Sequence, residues 1–329
     1  MFQECRLKGN VLIVGGAGFI GSHCAKMLVK AGWTVTVYDN LSKGYREALL
    51  YGDFVEGDIG DKQALLKLFE EREIDAVMHF AAFIEVGESV KKPELYFNNN
   101  TEKTFILLDA MRQRGVNKFI FSSTAAVYGN PQFTPITEEH PCAPISPYGE
   151  SKLRVEEKLA TLTNNGMNSV IFRYFNAAGA DPAGELGERH NPESHLIPLA
   201  IKAALKKRDP LSVFGTDYET KDGTAVRDYI HVNDLCKAHI LGLEYLMNGG
   251  KSNLFNLGNG EGFSVREVLK SVEKNLGVPV PATDCPRRDG DAPTLVGDAS
   301  KAKSVLGWKP DIPNLDDIVK TACNFEKKL

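Results

Sequence analysis

The chain has 329 residues, 39 Lys+Arg against 43 Asp+Glu for a net charge of −4, and 43% hydrophobic residues. That length allows about two domains, and the mix is that of an ordinary globular protein, which excludes disorder, collagen-like sequence and repeat solenoids. The charge balance excludes a global pull toward nucleic acid or anionic membrane, and no apolar run approaches the ~20 residues that span a bilayer.

Val11-Leu12-Ile13-Val14 is a continuous apolar run, as in a strand buried on both faces. It is too short for a signal-peptide core and follows a polar N-terminus, so a cytoplasmic location is expected. The run meets Gly15-Gly16-Ala17-Gly18-Phe19-Ile20-Gly21. A helical stripe follows (Ile20, Cys24, Met27, Leu28, Ala31) and Gly32 stops it. A β-branched run from Thr34 to Tyr38 ends in Asp39. The alternation continues with a strand at Phe54-Val55, a helix over 62–72, a strand over 76–80, a helix over 103–113 and a strand over 119–121. Another helix starts near Pro147, and 169–172 is a strand. Alternating strands and helices predict a doubly wound parallel α/β sheet of the Rossmann type. The second half is less regular. Residues 181–193, rich in Pro, Gly and acid, read as a loop. Helices are expected over 196–207, 233–247, 264–275 and 315–327, and strands near 211–214, 226–230 and 253–256. The reading gives a dinucleotide-binding domain over 1–178 and a smaller α/β substrate-binding domain over 179–329, with segments free to cross back.

Gly15, Gly18 and Gly21 follow a strand and open a helix, the context in which glycines give a tight turn, close approach of a pyrophosphate, and close helix–strand packing. Asp39 ends the second strand, 18 residues after Gly21. A carboxylate there accepts hydrogen bonds from a ribose diol and repels a 2′-phosphate, which favours NAD over NADP. Lys43 and Arg46 nearby read as solvated loop charges. Asp58, ending the third strand, could reach an adenine amino group. Ser146-Pro147 caps and opens a helix that carries Tyr148 and Lys152 four residues apart on one face. A free tyrosine has a pKa near 10, so acting as a base at neutral pH needs roughly 4 kcal/mol of help, which an adjacent ammonium and a positive nicotinamide can supply. Ser122-Ser123-Thr124 follows the fifth strand. Thr124 could hold a substrate hydroxyl and pass its proton toward Tyr148. The six cysteines contain no Cys-x-x-Cys pair and read as free thiols. His190 and His195, five apart in a Pro-containing stretch, lack metal-ligand spacing, so no metal is expected.

From about Asn10 to Trp308 the chain resembles the extended short-chain dehydrogenase/reductase family, and within it the nucleotide-sugar epimerases. The matching stretches include Gly15–Gly21, Val55-Glu56-Gly57-Asp58-Ile59, His79-Phe80-Ala81-Ala82, Val127-Tyr128-Gly129, Ser146–Lys152, Arg173-Tyr174-Phe175-Asn176, Val226-Arg227-Asp228-Tyr229-Ile230-His231 and Arg287-Arg288. The resemblance implies that Phe19, Ile20, Asp39, Asn40, Asp58, Ile59, Phe80, Ala81, Ala82, Asn99, Thr124, Tyr148, Lys152 and Phe175 line NAD. It implies that Asn176, His195, Leu196, Phe214, Arg227, Arg288 and Leu295 hold a UDP-sugar. The two arginines suit a diphosphate, which a guanidinium meets bidentately. The implied reaction exchanges UDP-glucose and UDP-galactose by inverting C4 through a 4-ketone, in a homodimer. Other UDP-sugars (N-acetylated hexosamines, xylose or arabinose) and a non-catalytic NAD-binding sensor are the alternatives. Three positions depart from the family pattern: Ile84 stands where a lysine is common, His195 where an asparagine is common, and Leu295 where the sugar gate is often tyrosine. The related 4,6-dehydratases carry Asp-Glu directly after the threonine. Here those positions are Ala125 and Ala126, so elimination lacks a catalyst.

Overall fold

β1 (Asn10–Val14), β2 (Thr34–Asp39), β3 (Asp53–Glu56), β4 (Ala76–His79), β5 (Lys118–Thr124), β6 (Asn168–Tyr174) and β10 (Asn253–Leu257) form a seven-stranded sheet in the order β10-β6-β5-β4-β1-β2-β3. The pairs β1–β2, β2–β3, β1–β4 and β4–β5 are parallel. The structure is a computed structural model and describes residues 8–288 and 290–329. The strand order reverses direction beside β1, and that reversal opens the crevice in which doubly wound sheets bind ligands at the carboxyl ends of their strands. Helices α1 (Phe19–Lys30), α2 (Lys62–Glu71), α5 (Lys103–Gln113) and α6 (Pro147–Thr163) fill the crossovers. A core of Leu12, Val14, Val77, Leu107, Phe119, Phe121, Val155 and Leu159 joins the sheet to α2, α5 and α6. The stripe of α6 that buries Val155 and Leu159 also fixes which way Tyr148 and Lys152 point.

The described chain divides into two compact units. The first runs to Gly129 and adds Cys142–Arg173 and Cys236–Phe255. The second comprises Asn130–Pro141, Tyr174–Leu235 and Asn256–Leu329. The strand expected near 253–256 is β10, at the edge of the large sheet. A short apolar run says that it is a strand, but not which sheet receives it. In the second unit β9 (Val226–His231) pairs with β7 (Asn176–Ala178), β11 (Gly262–Ser264) and β13 (Thr294–Leu295). β8 (Leu211–Phe214) pairs in parallel with β12 (Ala282–Cys285). Helices α7 (Leu196–Ala204), α9 (Val265–Leu276) and α11 (Leu315–Glu326) pack around Ile197, Ile201, Val268, Val272 and Ile318. α8 (Val232–Met247) continues directly from β9, and α10 (Ser300–Leu306) precedes Trp308.

The stretch between β4 and α5 was not read from the sequence. It forms α3 (Val86–Lys91), α4 (Pro93–Tyr96) and a wide helical turn over Phe97–Glu102. Within it Asn100 is buried. Its amide accepts from Phe83 N and donates to Phe83 O and Ser151 Oγ. A polar residue buried for its hydrogen bonds breaks the apolar periodicity by which helices are recognised.

Candidate active site

The carboxyl end of β1 turns at Gly15, whose φ is +82°. A Cβ there would lie 2.4 Å from Ala81 N, so only glycine lets the turn after β1 meet the turn after β4. A Cβ on Gly21 would lie 2.3 Å from Gly15 O, so the first turn of α1 closes onto the loop. Gly18 differs. Its Cβ would meet only Gly15 O, at 3.5 Å, and it begins α1 with no side-chain cap. The space over a helix N-terminus is therefore open to an anion. Phe19 and Ile20 follow in the first turn of α1.

Asp39 is buried at the end of β2. Its Oδ2 accepts from Ala17 N at 2.9 Å and its Oδ1 from Leu41 N at 2.8 Å. Burial raises its pKa against the pull of these two bonds. Each oxygen keeps a lone pair for a ribose hydroxyl. Asp58 is tied to Asn40 Nδ2 and Lys103 Nζ at 2.7 Å each and to Gly60 N at 2.7 Å. Burial opposes ionisation, but these partners hold its carboxyl below the usual range. Ile59 points into the core of the first unit. Phe80 stacks against His239 with centroids 5.0 Å apart, and Asn99 donates to Asn100 Oδ1. The tight turns at Gly15 and Gly21, the open face at Gly18 and the carboxylate at the strand end fit an adenine dinucleotide.

α6 starts where the sequence places it: Ser146 Oγ accepts from Gly149 N and Pro147 takes the first position. A Cβ on Gly149 would lie 2.6 Å from Ala126 O, so this turn packs directly on the backbone that follows Thr124. The packing delivers Tyr148 to Thr124. Thr124 Oγ1 accepts from Ala126 N at 3.1 Å, which leaves its proton for the Tyr148 oxygen. Burial pushes the Tyr148 phenol up, and the Thr124 bond pulls it down. Lys152 is 3% exposed, donates to Ser122 O at 2.8 Å and lies 4.9 Å from the Phe121 ring centre. Burial pushes its pKa down to about 7, while Glu156, one turn along α6, opposes the fall. Glu156 is itself held by the Arg173 guanidinium and by Ser123 Oγ.

The second unit gathers another set. Asn176 Nδ2 donates to Asp228 O, and Leu295 pairs in register with Arg227. Arg227 Nη1 donates to Val226 O and Ala292 O, and its Nη2 lies 3.5 Å from Asp291 Oδ1. Arg288 Nε lies 3.3 Å from Asp291 Oδ2, with its guanidinium 4.5 Å from the Phe214 ring centre. Two guanidinium groups thus share one carboxylate beside an aromatic ring, a geometry suited to a nucleoside diphosphate. Phe175 lies against Gly297, where a Cβ would meet its ring at 2.2 Å. His195 precedes Leu196 at the start of α7 and contacts Glu188 at 2.9 Å and Glu193 at 3.1 Å.

Residues 11–258 match the NAD dependent epimerase/dehydratase family. The chain belongs to this family. A UDP-glucose 4-epimerase of Halalkalibacterium halodurans is 48% identical over 97% of this chain and 96% of the relative. The solved UDP-glucose 4-epimerase of Brucella ovis, in complex with NAD, superposes with a TM-score of 0.94 at 48% identity, covering 96% of this chain and 98% of that one. An enzyme of the same name from Stenotrophomonas maltophila, with bound NAD and formylated UDP-arabinopyranose, gives 0.94 at 40% identity over 97% and 98%. Membership makes NAD the cofactor of this chain.

The candidate ligand contacts read from the sequence are held in the structure by partners that were not assigned roles there. Asn100 and Glu156 lie in no recognisable spacing, because their partners Ser151 and Arg173 are far away in sequence. A buried charge needing a partner was the available signal for Glu156, which sits on the apolar stripe of α6. Lys43, which reads as a loop charge, lies 5.8 Å from the centre of the ring of Phe83, the residue before Ile84. Glu188, His190, Glu193 and His195 converge to within 4.8 Å of one another, a grouping that spacing alone does not show. Burial opposes charge on both histidines, yet the two glutamates raise His190 to about 9 and His195 well above its usual value.

Proposed function

We propose that this chain interconverts UDP-glucose and UDP-galactose by inverting the sugar C4 through a ketone, with NAD retained throughout. The observation that carries the reading is Tyr148 bonded to Thr124, with Lys152 one turn along α6 fixed by Ser122 O, supported by 48% identity over 97% of the chain to a protein named UDP-glucose 4-epimerase. The first unit, in this reading, holds NAD through Gly15, Gly18, Phe19, Ile20, Gly21, Asp39, Asn40 and Asp58. Asn176, Leu196, Phe214, Arg227 and Arg288 of the second unit grip the UDP.

Tyr148 removes the proton of the C4 hydroxyl, directly or through Thr124. NAD, when bound, would supply the acceptor for the C4 hydride and the donor for its return. Lys152 is fixed by Ser122 O, and its ammonium stabilises the Tyr148 phenolate. Glu156 opposes the loss of that charge which burial favours. Arg227 and Arg288 hold the diphosphate while the sugar turns over, so that Tyr148 gives the proton back with the opposite face presented. The chain's contribution is pKa tuning, positioning and a sugar pocket loose enough for rotation. Replacing Tyr148 with Phe tests this: NAD stays bound and C4 inversion is lost. Near-normal turnover would contradict it.

The alternative, in which a bulkier C2 substituent also fits beside Leu295, is not the reading that the relatives named UDP-glucose 4-epimerase favour. Comparing kcat/KM for UDP-galactose, UDP-N-acetylgalactosamine and UDP-arabinose separates the two. We also place the protein in the cytoplasm as a homodimer. Val86, Val90 and Leu95 expose apolar surface on α3 and α4, and no helix among the described residues is long and apolar enough to cross a membrane. Light scattering after gel filtration reads the oligomeric state.

A further inference from the structure

The segment before α7 folds back on itself. Ala180 and Gly187 form an isolated antiparallel bridge, and Asp181 N donates to Leu186 O at 2.9 Å. Glu188 leaves this bridge, and Glu193 lies just before α7. Their side chains are only 6% and 5% exposed. Between them stand the rings of His190 and His195, with centroids 4.9 Å apart and both Nδ1 atoms turned to the carboxylates. His190 Nδ1 is 3.4 Å from Glu188 Oε1 and 3.6 Å from Glu193 Oε2. His195 Nδ1 is 2.9 Å from Glu188 Oε1 and 3.1 Å from Glu193 Oε1.

The two distances at His195 are ordinary hydrogen-bond lengths, whereas the two at His190 are too long for good hydrogen bonds and suit a shared ligand. Ligands at 2.0–2.1 Å from a tetrahedral metal stand about 3.3 Å from one another. The four His–Glu distances, 2.9 to 3.6 Å, lie around that edge, and one ligand atom from each residue falls within 4.8 Å of the others. His190 Nδ1 and Glu193 Oε2 are buried without a hydrogen-bond partner and are aimed into the cluster. Metal ligation takes both imidazoles in their neutral form, and the two buried carboxylates then carry two negative charges, which one divalent cation neutralises in place of the imidazole protons. Two imidazole nitrogens with two carboxylate oxygens in a four-ligand set suit zinc, and four protein ligands close the site, as in structural rather than catalytic centres.

We propose that Glu188, His190, Glu193 and His195 bind one structural zinc ion that locks the segment entering α7. The metal does not depend on the reaction assigned above. Only its consequence does, because Leu196, the next residue, is one that grips UDP in that reading.

The test uses the full chain with its NAD, loaded with zinc, desalted and assayed for metal by plasma mass spectrometry. About one zinc per chain is expected in the wild type. His190→Ala and Glu188→Gln are expected to lower retained zinc by at least about tenfold while NAD, read by its release on denaturation, stays stoichiometric. Wild-type protein that retains no zinc overturns the proposal, as does zinc retained equally by both variants. If the variants fail to fold, zinc-edge X-ray absorption of the wild type decides. A shell of nitrogen and oxygen with two imidazoles supports the site. A sulfur neighbour assigns the metal to cysteine and overturns it.

Discussion

Replacing Gly18 with alanine should leave the fold intact and remove NAD, whereas the same change at Gly21 should damage the fold itself. At Gly18 the backbone has φ −84° and ψ 174°, which alanine adopts freely, and the new methyl would meet only Gly15 O at an ordinary 3.5 Å. Losing glycine at a helix N-cap costs about 0.5–1 kcal/mol, and stiffening the unfolded chain returns about 0.4–1 kcal/mol, so net stability changes by less than about 1 kcal/mol. The methyl instead fills the space left for a pyrophosphate. Displacing that anion from the helix N-terminus forfeits charge-assisted hydrogen bonds of about 1.5–3 kcal/mol each, a loss of about 10- to 100-fold in NAD affinity per bond. At Gly21 the methyl would stand 2.3 Å from Gly15 O and 2.8 Å from Gly16 Cα, both backbone atoms that cannot swing away. Overpacking of that kind costs about 1–3 kcal/mol or more. The assay is urea unfolding of each NAD-free protein, paired with NAD titration by calorimetry. A Gly18→Ala protein that binds NAD like the wild type, or that is destabilised as much as Gly21→Ala, would refute the reasoning.

Three further outcomes follow from the same geometry. Replacing Lys152 with Met removes the ammonium that favours the Tyr148 phenolate, so kcat should fall by about 10²- to 10⁴-fold and the ascending limb of the pH–rate profile should move to higher pH; an unmoved limb would contradict the role. Arg227, largely buried, should cost UDP about 1.5–3 kcal/mol of affinity when replaced by Ala, measured by calorimetry with UDP alone; an unchanged Kd would remove it from the diphosphate site. His79 is buried in β4, donates from Nε2 to Thr104 Oγ1, and is pushed down to about 3 by burial, with Lys152 adding to the fall. Its folded pKa lies below its unfolded value near 6.5, so the unfolded chain binds the extra proton between about pH 6.5 and 3, and stability is lost as pH falls through that window. The loss is on the order of 4–5 kcal/mol. A His79→Gln protein should show a flatter acid limb in urea unfolding, and an unchanged limb would assign the acid sensitivity elsewhere.

Much of the first unit was legible because its elements follow simple patterns. The apolar run into β1, the glycines at fixed offsets and the Ser146-Pro147 cap each state a local geometry that the structure adopts. α3, α4 and the turn over 97–102 were not legible, since Asn100 and Thr101 are buried for their hydrogen bonds to Ser151, Thr101 donating to its carbonyl oxygen. β10 was visible as a strand but not as an edge of the first sheet, because periodicity carries no information about the partner. At the site, Tyr148, Lys152 and Thr124 were readable as residue types at strand and helix ends. Their supports, Ser122 O for Lys152 and the Ala126 backbone beneath Gly149, are main-chain contacts to which sequence gives no clue. The Glu188–His195 cluster was hidden for a related reason: a segment without regular structure brings its ligands together by folding back, and spacing rules describe helices and short loops only.

The central claim is that one hydrogen leaves C4 and returns to it without passing through water. UDP-glucose carrying deuterium at C4, converted by the enzyme in ordinary water and analysed by mass spectrometry and proton NMR, tests it directly. The account predicts UDP-galactose that keeps the deuterium at C4. Product in which that position has filled with solvent hydrogen would contradict it.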